Sequence, residues 1–203
     1  MRAYTDAEVE SILGRSTGAK RLFYWLAVET GMRAGELCGL RVCDVDPFRK
    51  LVSVRQAVWR GKVQTPKTKN AIRNIPIPVE IVDALRAHIS GRETGFVFTT
   101  KNRTPWNSDL LLRRHLRGKL KVMDGHLHMF RHTFATRQLH AGVSVSVVSK
   151  LLGHGSISTT LNIYAHVLAE HLEQFEHQRA RILGTKRAPE TRRFGRLTGA
   201  SPV

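Results

Sequence analysis

Apolar residues recur at helical spacing along most of the chain and at strand spacing in one stretch near its middle. Val9, Ile12 and Leu13 follow Thr5-Asp6-Ala7-Glu8, whose Thr and Glu stand three apart as in a capping box, so a helix is expected from about residue 5. Leu22, Phe23, Leu26 and Ala27 predict a second helix over 21–30 that stops at Gly31, and 33–40 a short third one. The alternation in LVSVRQAV, 51–58, predicts a strand, Arg60-Gly61-Lys62 a turn into a second strand at Val63, and 72–77 a third whose prolines suit an edge. Val79, Val82, Leu85 and Ile89 return to helical spacing behind Pro78. Phe130, Phe134 and Leu139, then Val143, Val147, Val148, Leu151 and Leu152, describe two helices broken at Gly142. Gly153-His154-Gly155 makes another sharp turn, and Ser156 and Ser158 can cap a helix carrying Tyr164. The segment after it places Leu168, Leu172, Phe175 and Ile182 on one side. The expected class is α+β, mainly α, with a small three-stranded antiparallel sheet.

Charge narrows the function. The 203 residues hold 33 Lys and Arg against 16 Asp and Glu, a net charge of +17 that calls for a polyanionic partner, nucleic acid before an anionic membrane surface. No apolar run approaches 18 residues and no signal-peptide pattern opens the chain, so a cytoplasmic, DNA-associated protein with no membrane partner is expected. Cys38 and Cys43 have no second pair to complete a zinc site and read as reduced thiols. Residues 1–183 form one expected domain. The basic stretch 184–203, poor in apolar residues, is expected to be disordered.

The candidate chemistry gathers between 128 and 166. His128 and Arg131 lie three apart on one helix face and can reach one anionic oxygen, the arginine with a planar fork that matches phosphate. Arg33, at a helix start, would add a second guanidinium, and the pair could hold both non-bridging oxygens of a phosphodiester, with no metal and no other cofactor required. Neither carboxylate nor cysteine accompanies His128 and His154 at ligand spacing, which argues against a metal site. Simpler readings stand beside these: Arg33 paired with Glu36 or Glu29, Tyr164 as a buried core hydroxyl, and the basic runs as solvated faces.

Four ordered motifs, TGMRAGELCGL at 30–40 with HMFRHTFAT, LLGHGSISTT and IYAHV, resemble the signature of the tyrosine recombinases, or phage integrases. The resemblance spans Thr5 to Leu183. It implies their mainly helical catalytic domain and site-specific cleavage and rejoining of DNA through a 3′-phosphotyrosine, in a phage or mobile-element integrase. By that resemblance Arg33, Lys67, His128, Arg131, His154 and Tyr164 are catalytic: Tyr164 attacks, Lys67 protonates the leaving oxygen, His128 acts as base or phosphate donor, and His154 positions the phosphate. Glu36 occupies the family's acidic position and would orient its neighbours, and Lys69 is the rival to Lys67. Lys69, Arg73, Arg113, Arg114 and Arg117 are the expected DNA-binding residues. Expected partners are double-stranded attachment-site DNA, other protomers through the C-terminal helix, and accessory DNA-bending or directionality proteins. The family's usual helical domain ahead of the catalytic one is expected to be absent. Type IB topoisomerases share the chemistry, and a silent DNA-binding module would share the charge. His154 and Tyr164 are ten apart, one more than in many members, and Met129-Phe130 replaces the commoner Asp-Leu.

Overall fold

The computed structural model describes residues 2–65 and 72–182. The chain divides into two units, Met1–Ala165 and His166–Val203. In the first, α1 (Asp6–Gly14), α2 (Gly18–Thr30) and α3 (Ala34–Gly39) lead through a 3-10 turn, Val42–Asp44, to five short strands. These are β1 (Val45–Asp46), β2 (Leu51–Val54), β3 (Ala57–Trp59), β4 (Lys62–Gln64) and β5 (Arg73–Pro76). There follow α4 (Val79–Ile89), α5 (Ser108–Leu110), α6 (Leu127–His140), α7 (Val145–Leu152) and the start of α8 (Ile157–Ile182).

Local chemistry sets the helix ends. The Thr5 hydroxyl accepts the Glu8 amide while the Glu8 carboxylate accepts the Thr5 amide at 2.8 Å, completing the expected capping box. Gly31 closes α2 with φ of 62°, and a Cβ there would lie 2.5 Å from the Phe134 ring, so only glycine fits both the torsion and the contact. The core lies between α2, α6 and the three-stranded sheet. Phe23, Tyr24, Phe98 and Phe130 are fully buried, with Tyr24 stacked on Phe130 at 5.3 Å and Phe23 edge-on to Phe98 at 5.1 Å. Each such pair contributes about 0.5–1.5 kcal/mol beyond burial; the first ties α6 to α2, and the second ties the segment after α4 to α2.

The sheet departs from expectation in three ways. The stretch 51–58 is not one strand but two, β2 and β3, separated at Arg55-Gln56. β1, unforeseen, pairs with β2, and β5 also pairs with β2, giving the order β1-β2-β5 in antiparallel register with Val52 opposite Ile75. β3 and β4 form a separate hairpin around the expected Arg60-Gly61 turn. The cause is packing against α3: a Cβ at Gly39 would stand 3.0 Å from Ala57 Cα and one at Gly35 3.0 Å from the Val58 carbonyl, so β3 lies flat on that helix. The basic run 108–122 is not a regular α-helix. After three α-helical residues it widens into a π-helix, Leu111–Lys119, in which the Leu120 amide donates to the His115 carbonyl at 2.8 Å. Its inner face carries His115, whose Nδ1 lies 3.0 Å from the Tyr24 hydroxyl.

In the second unit the described residues continue α8 to Ile182, and Leu172, Phe175 and Ile182 on it are exposed. The basic tail expected to be disordered lies outside the described residues.

Candidate active site

Two helices end at this site and one begins there. Arg131, on α6, is 2% exposed, yet its charge does not lie in an apolar pocket: Nη1 donates to the Gly31 carbonyl at 2.9 Å and Nη2 to the Leu152 carbonyl at 2.6 Å. Those carbonyls belong to the C-terminal ends of α2 and α7, where the helix macrodipole presents partial negative charge and the last oxygens lack helical partners. Both helices stop on a left-handed glycine, Gly31 and Gly153. Two of the five guanidinium N–H groups are thereby used, which leaves donors for an anion. Burial, reinforced by the nearby Arg33 charge, pulls this guanidinium down to about 9, so it remains cationic at neutral pH.

Arg33 stands at the N-cap of α3, its side chain 43% exposed. Glu36, one turn on, accepts the Arg33 amide at 2.8 Å and the Arg33 Nη1 at 3.0 Å. The same carboxylate accepts both arms of Arg73 from β5, at 3.1 and 2.8 Å, with both side chains under a tenth exposed. Arg73 Nε donates in turn to the Leu151 carbonyl at 2.6 Å. Burial works to raise the Glu36 carboxyl, but the Arg73 fork and the Arg33 amide outweigh it and leave the group below its ordinary value, ionised. The ion pair foreseen as a bland alternative for Arg33 is therefore present, and it leaves much of the guanidinium open to solvent.

The third layer is a set of histidines around a phenol. His128 and His132 share one face of α6, ring centroids 5.0 Å apart and edge-on. Partial desolvation, with His132, Arg131 and Arg33 adding positive charge, pushes His128 down to about 4. Burial and the same arginines push His154 down to about 4, and its Nδ1 lies 2.7 Å from the Thr160 hydroxyl. Tyr164 is 3% exposed and sits where the backbone of α8 leaves helical torsions, at φ −112° and ψ 19°. Its hydroxyl meets His132 Nδ1 at 3.0 Å, and burial raises the phenol to about 12.

Of the residues expected at the site, Arg33, Glu36, His128, Arg131, His154 and Tyr164 come together, each within electrostatic reach of Arg131 or its neighbours. Lys67 and Lys69 lie outside the described residues. Arg113 and Arg114 are exposed on the π-helix, as DNA-facing residues need to be, whereas Arg117 is half-buried and donates to the Gly125 carbonyl at 3.0 Å. Arg73 is corrected. Expected on the DNA-binding surface, it is instead buried in the Glu36 ion pair and the end of α7. Sequence reasoning leaves His132, one turn after His128 on the same face, only as a supporting residue near the site. Among the described residues, no group of three or more metal-ligating side chains exists and no helix is long and apolar enough to cross a membrane.

The arrangement can hold a doubly charged oxyanion on side-chain donors, with a tyrosine nearby and neutral imidazoles between. Comparison with known proteins gives the family and the fold. Residues 3–171 match the model of the phage integrase family. The XerC-like tyrosine recombinase of Caldanaerobacter subterraneus is 31% identical over 199 residues, covering 83% of this chain and 51% of that protein. The tyrosine recombinase XerA of Thermococcus onnurineus is 31% identical over 194 residues, 90% of this chain and 64% of that one. Among solved structures, the Tn1549 transposon integrase in complex with circular intermediate DNA superposes with a TM-score of 0.69 at 25% identity, covering 85% of this chain and 65% of that one. A crystal structure of XerA recombinase gives 0.68 at 25% identity, covering 86% and 65%. The chain thus spans less than two thirds of the length of these relatives.

Proposed function

The chain belongs to the phage integrase family, and we propose that it is the catalytic part of a tyrosine site-specific recombinase that breaks and rejoins DNA through a 3′-phosphotyrosine, encoded by a phage or mobile element. The observation that carries this is Arg131, a buried guanidinium held by two helix ends beside Arg33, with Tyr164 close enough to act on its charge.

In this reading Arg33 and Arg131 grip the non-bridging oxygens of the scissile phosphate and stabilise the extra charge of the five-coordinate transition state. Glu36 is the positioning residue, fixing Arg33 through its amide and guanidinium. His154 donates to the same phosphate. Of the two roles open to His128, donor to the phosphate suits its exposed place beside Arg131. Tyr164 Oη attacks phosphorus and O5′ leaves. The bond energy stays in the protein–DNA link, so ligation needs no ATP. Double-stranded attachment-site DNA is the substrate. Other protomers would dock on the C-terminal helix through exposed Leu172, Phe175 and Ile182, and accessory DNA-bending or directionality proteins would set the outcome.

The decisive experiment incubates the protein with nicked duplexes selected from a random-sequence pool by binding. A denaturant-stable protein–DNA adduct is expected. No adduct would leave a DNA-binding module, and adduct with supercoil relaxation but no synapsis of two sites would point to a topoisomerase. Lys67 is the proposed general acid. Lys67→Ala should slow cleavage by about 10²–10⁴ and regain near wild-type rate when the bridging 5′ oxygen is replaced by sulfur, which leaves unprotonated; rescue of Lys69→Ala instead would exchange the two lysines.

A further inference from the structure

A phenol this buried must lose its proton as it attacks, and the group in hydrogen-bond contact with it is not His128. His132 Nδ1 lies 3.0 Å from Tyr164 Oη, and the rings are 5.8 Å apart. The His128 and His132 rings meet edge-on 5.0 Å apart, and the charges of both Arg131 and Arg33 act on His128. The two histidines of α6 therefore face different reacting atoms, His132 the nucleophile and His128 the phosphate side.

We propose that His132 is the general base for Tyr164, accepting the phenol proton at Nδ1 as the covalent link forms. The proposal rests on the strand-cleavage reading above. As Tyr164 Oη bonds to phosphorus, the P–O5′ bond breaks, the phenol proton passes to His132 Nδ1, and O5′ takes a proton from the general acid. Rejoining runs backwards: the 5′-hydroxyl attacks as its proton returns to the deprotonated general acid, the Tyr164–phosphorus bond breaks, and the His132 imidazolium gives its proton to the departing phenolate. Nδ1 can accept only in the neutral ring with its proton on Nε2, and the neutral ring is the form that burial and Arg131 favour.

His132→Asn separates holding from proton transfer, because Asn Oδ1 can accept the Tyr164 hydroxyl but cannot take its proton at neutral pH. Adduct formation on the selected nicked duplex should fall by about 10²–10⁴, the usual worth of a general base, with melting temperature and DNA affinity close to those of the parent protein. A fluorinated tyrosine introduced at Tyr164 ionises more readily and should restore most of the lost rate in His132→Asn, measured against the same tyrosine beside wild-type His132. His128→Asn should slow both tyrosines alike. Wild-type rate in His132→Asn would overturn the proposal, as would a slow variant that the fluorinated tyrosine does not rescue, and rescue of His128→Asn alone would hand the base role to His128. If the parent protein itself forms no adduct, the strand-cleavage reading fails first and takes this inference with it.

Discussion

On the phosphate side of the site, Arg131 and Arg73 grip successive carbonyls at the end of α7 and Glu36 accepts both arms of Arg73. On the tyrosine side, one hydrogen bond and an irregular turn of α8 hold the phenol. The first arrangement is built before any substrate arrives, since each charge is already met by a fixed partner and little reorganisation is needed to bind an anion. The second keeps its reactive atom shielded at 3% exposure. Electrostatics here is scaffold, while the proposed nucleophile is held by far fewer bonds.

Four changes test that contrast. Tyr164→Phe should abolish the adduct and leave DNA affinity within a few fold, because the hydroxyl reacts while the ring only packs; a persisting adduct would move the nucleophile elsewhere. Arg131→Ala should do what the tyrosine change does not. It removes a phosphate donor, slowing adduct formation by about 10²–10³, and strips partners from two buried carbonyls, costing about 3 kcal/mol. Thermal melting should fall by roughly 6–12 °C for a chain of this size, and an unchanged melting temperature would show that the carbonyl bonds are not structural.

Glu36→Gln should act mainly on stability. It leaves Arg73 buried with only part of its charge met, and chemical denaturation should report a loss of about 3 kcal/mol, with a smaller fall in adduct rate through looser Arg33. A larger effect on rate than on stability would place Glu36 in the chemistry itself. The smallest change is in pH. His115 and His154 are both lowered to about 4, burial being the first cause in each. Their folded forms bind fewer protons than the unfolded chain between pH 6.5 and 4, so the stability they contribute is present above about 6.5 and is lost as pH falls through that window. For buried His115 alone the loss should reach about 1–2 kcal/mol by pH 5. His115→Phe should flatten the melting temperature over that range, and an unchanged slope would exclude His115 as its source.

Much of this was legible along the chain where cause and effect are close in sequence. The Thr5–Glu8 box, the glycine stops at Gly31 and Gly153, and the hairpin turn at Arg60-Gly61 are each set by residues within a turn of one another. The alternation over 51–58 concealed the break at Arg55-Gln56, because its cause is the pair of glycines on α3 that draw β3 away. Arg73 misled for a similar reason: its partner stands 37 positions earlier, and a basic residue on an edge strand otherwise reads as surface. His132 was in plain sight but carried no distinguishing neighbour until α8 brought Tyr164 beside it. The π-helical widening has no signature in the apolar stripe that precedes it.

The double anchorage of Arg131 also bears on safety in the cell. On the proposed reading, a strand-cleaving protein would endanger DNA whenever it is misfolded or heat-damaged. Here the guanidinium comes into place only when the far ends of α2 and α7, 121 residues apart at Gly31 and Leu152, are both closed around it. A chain whose α7 has frayed would lose the aligned clamp and, on the proposed reading, should be unable to cut. On that reading folding would itself license cleavage, because the phosphate grip exists only while both helix ends are closed on Arg131.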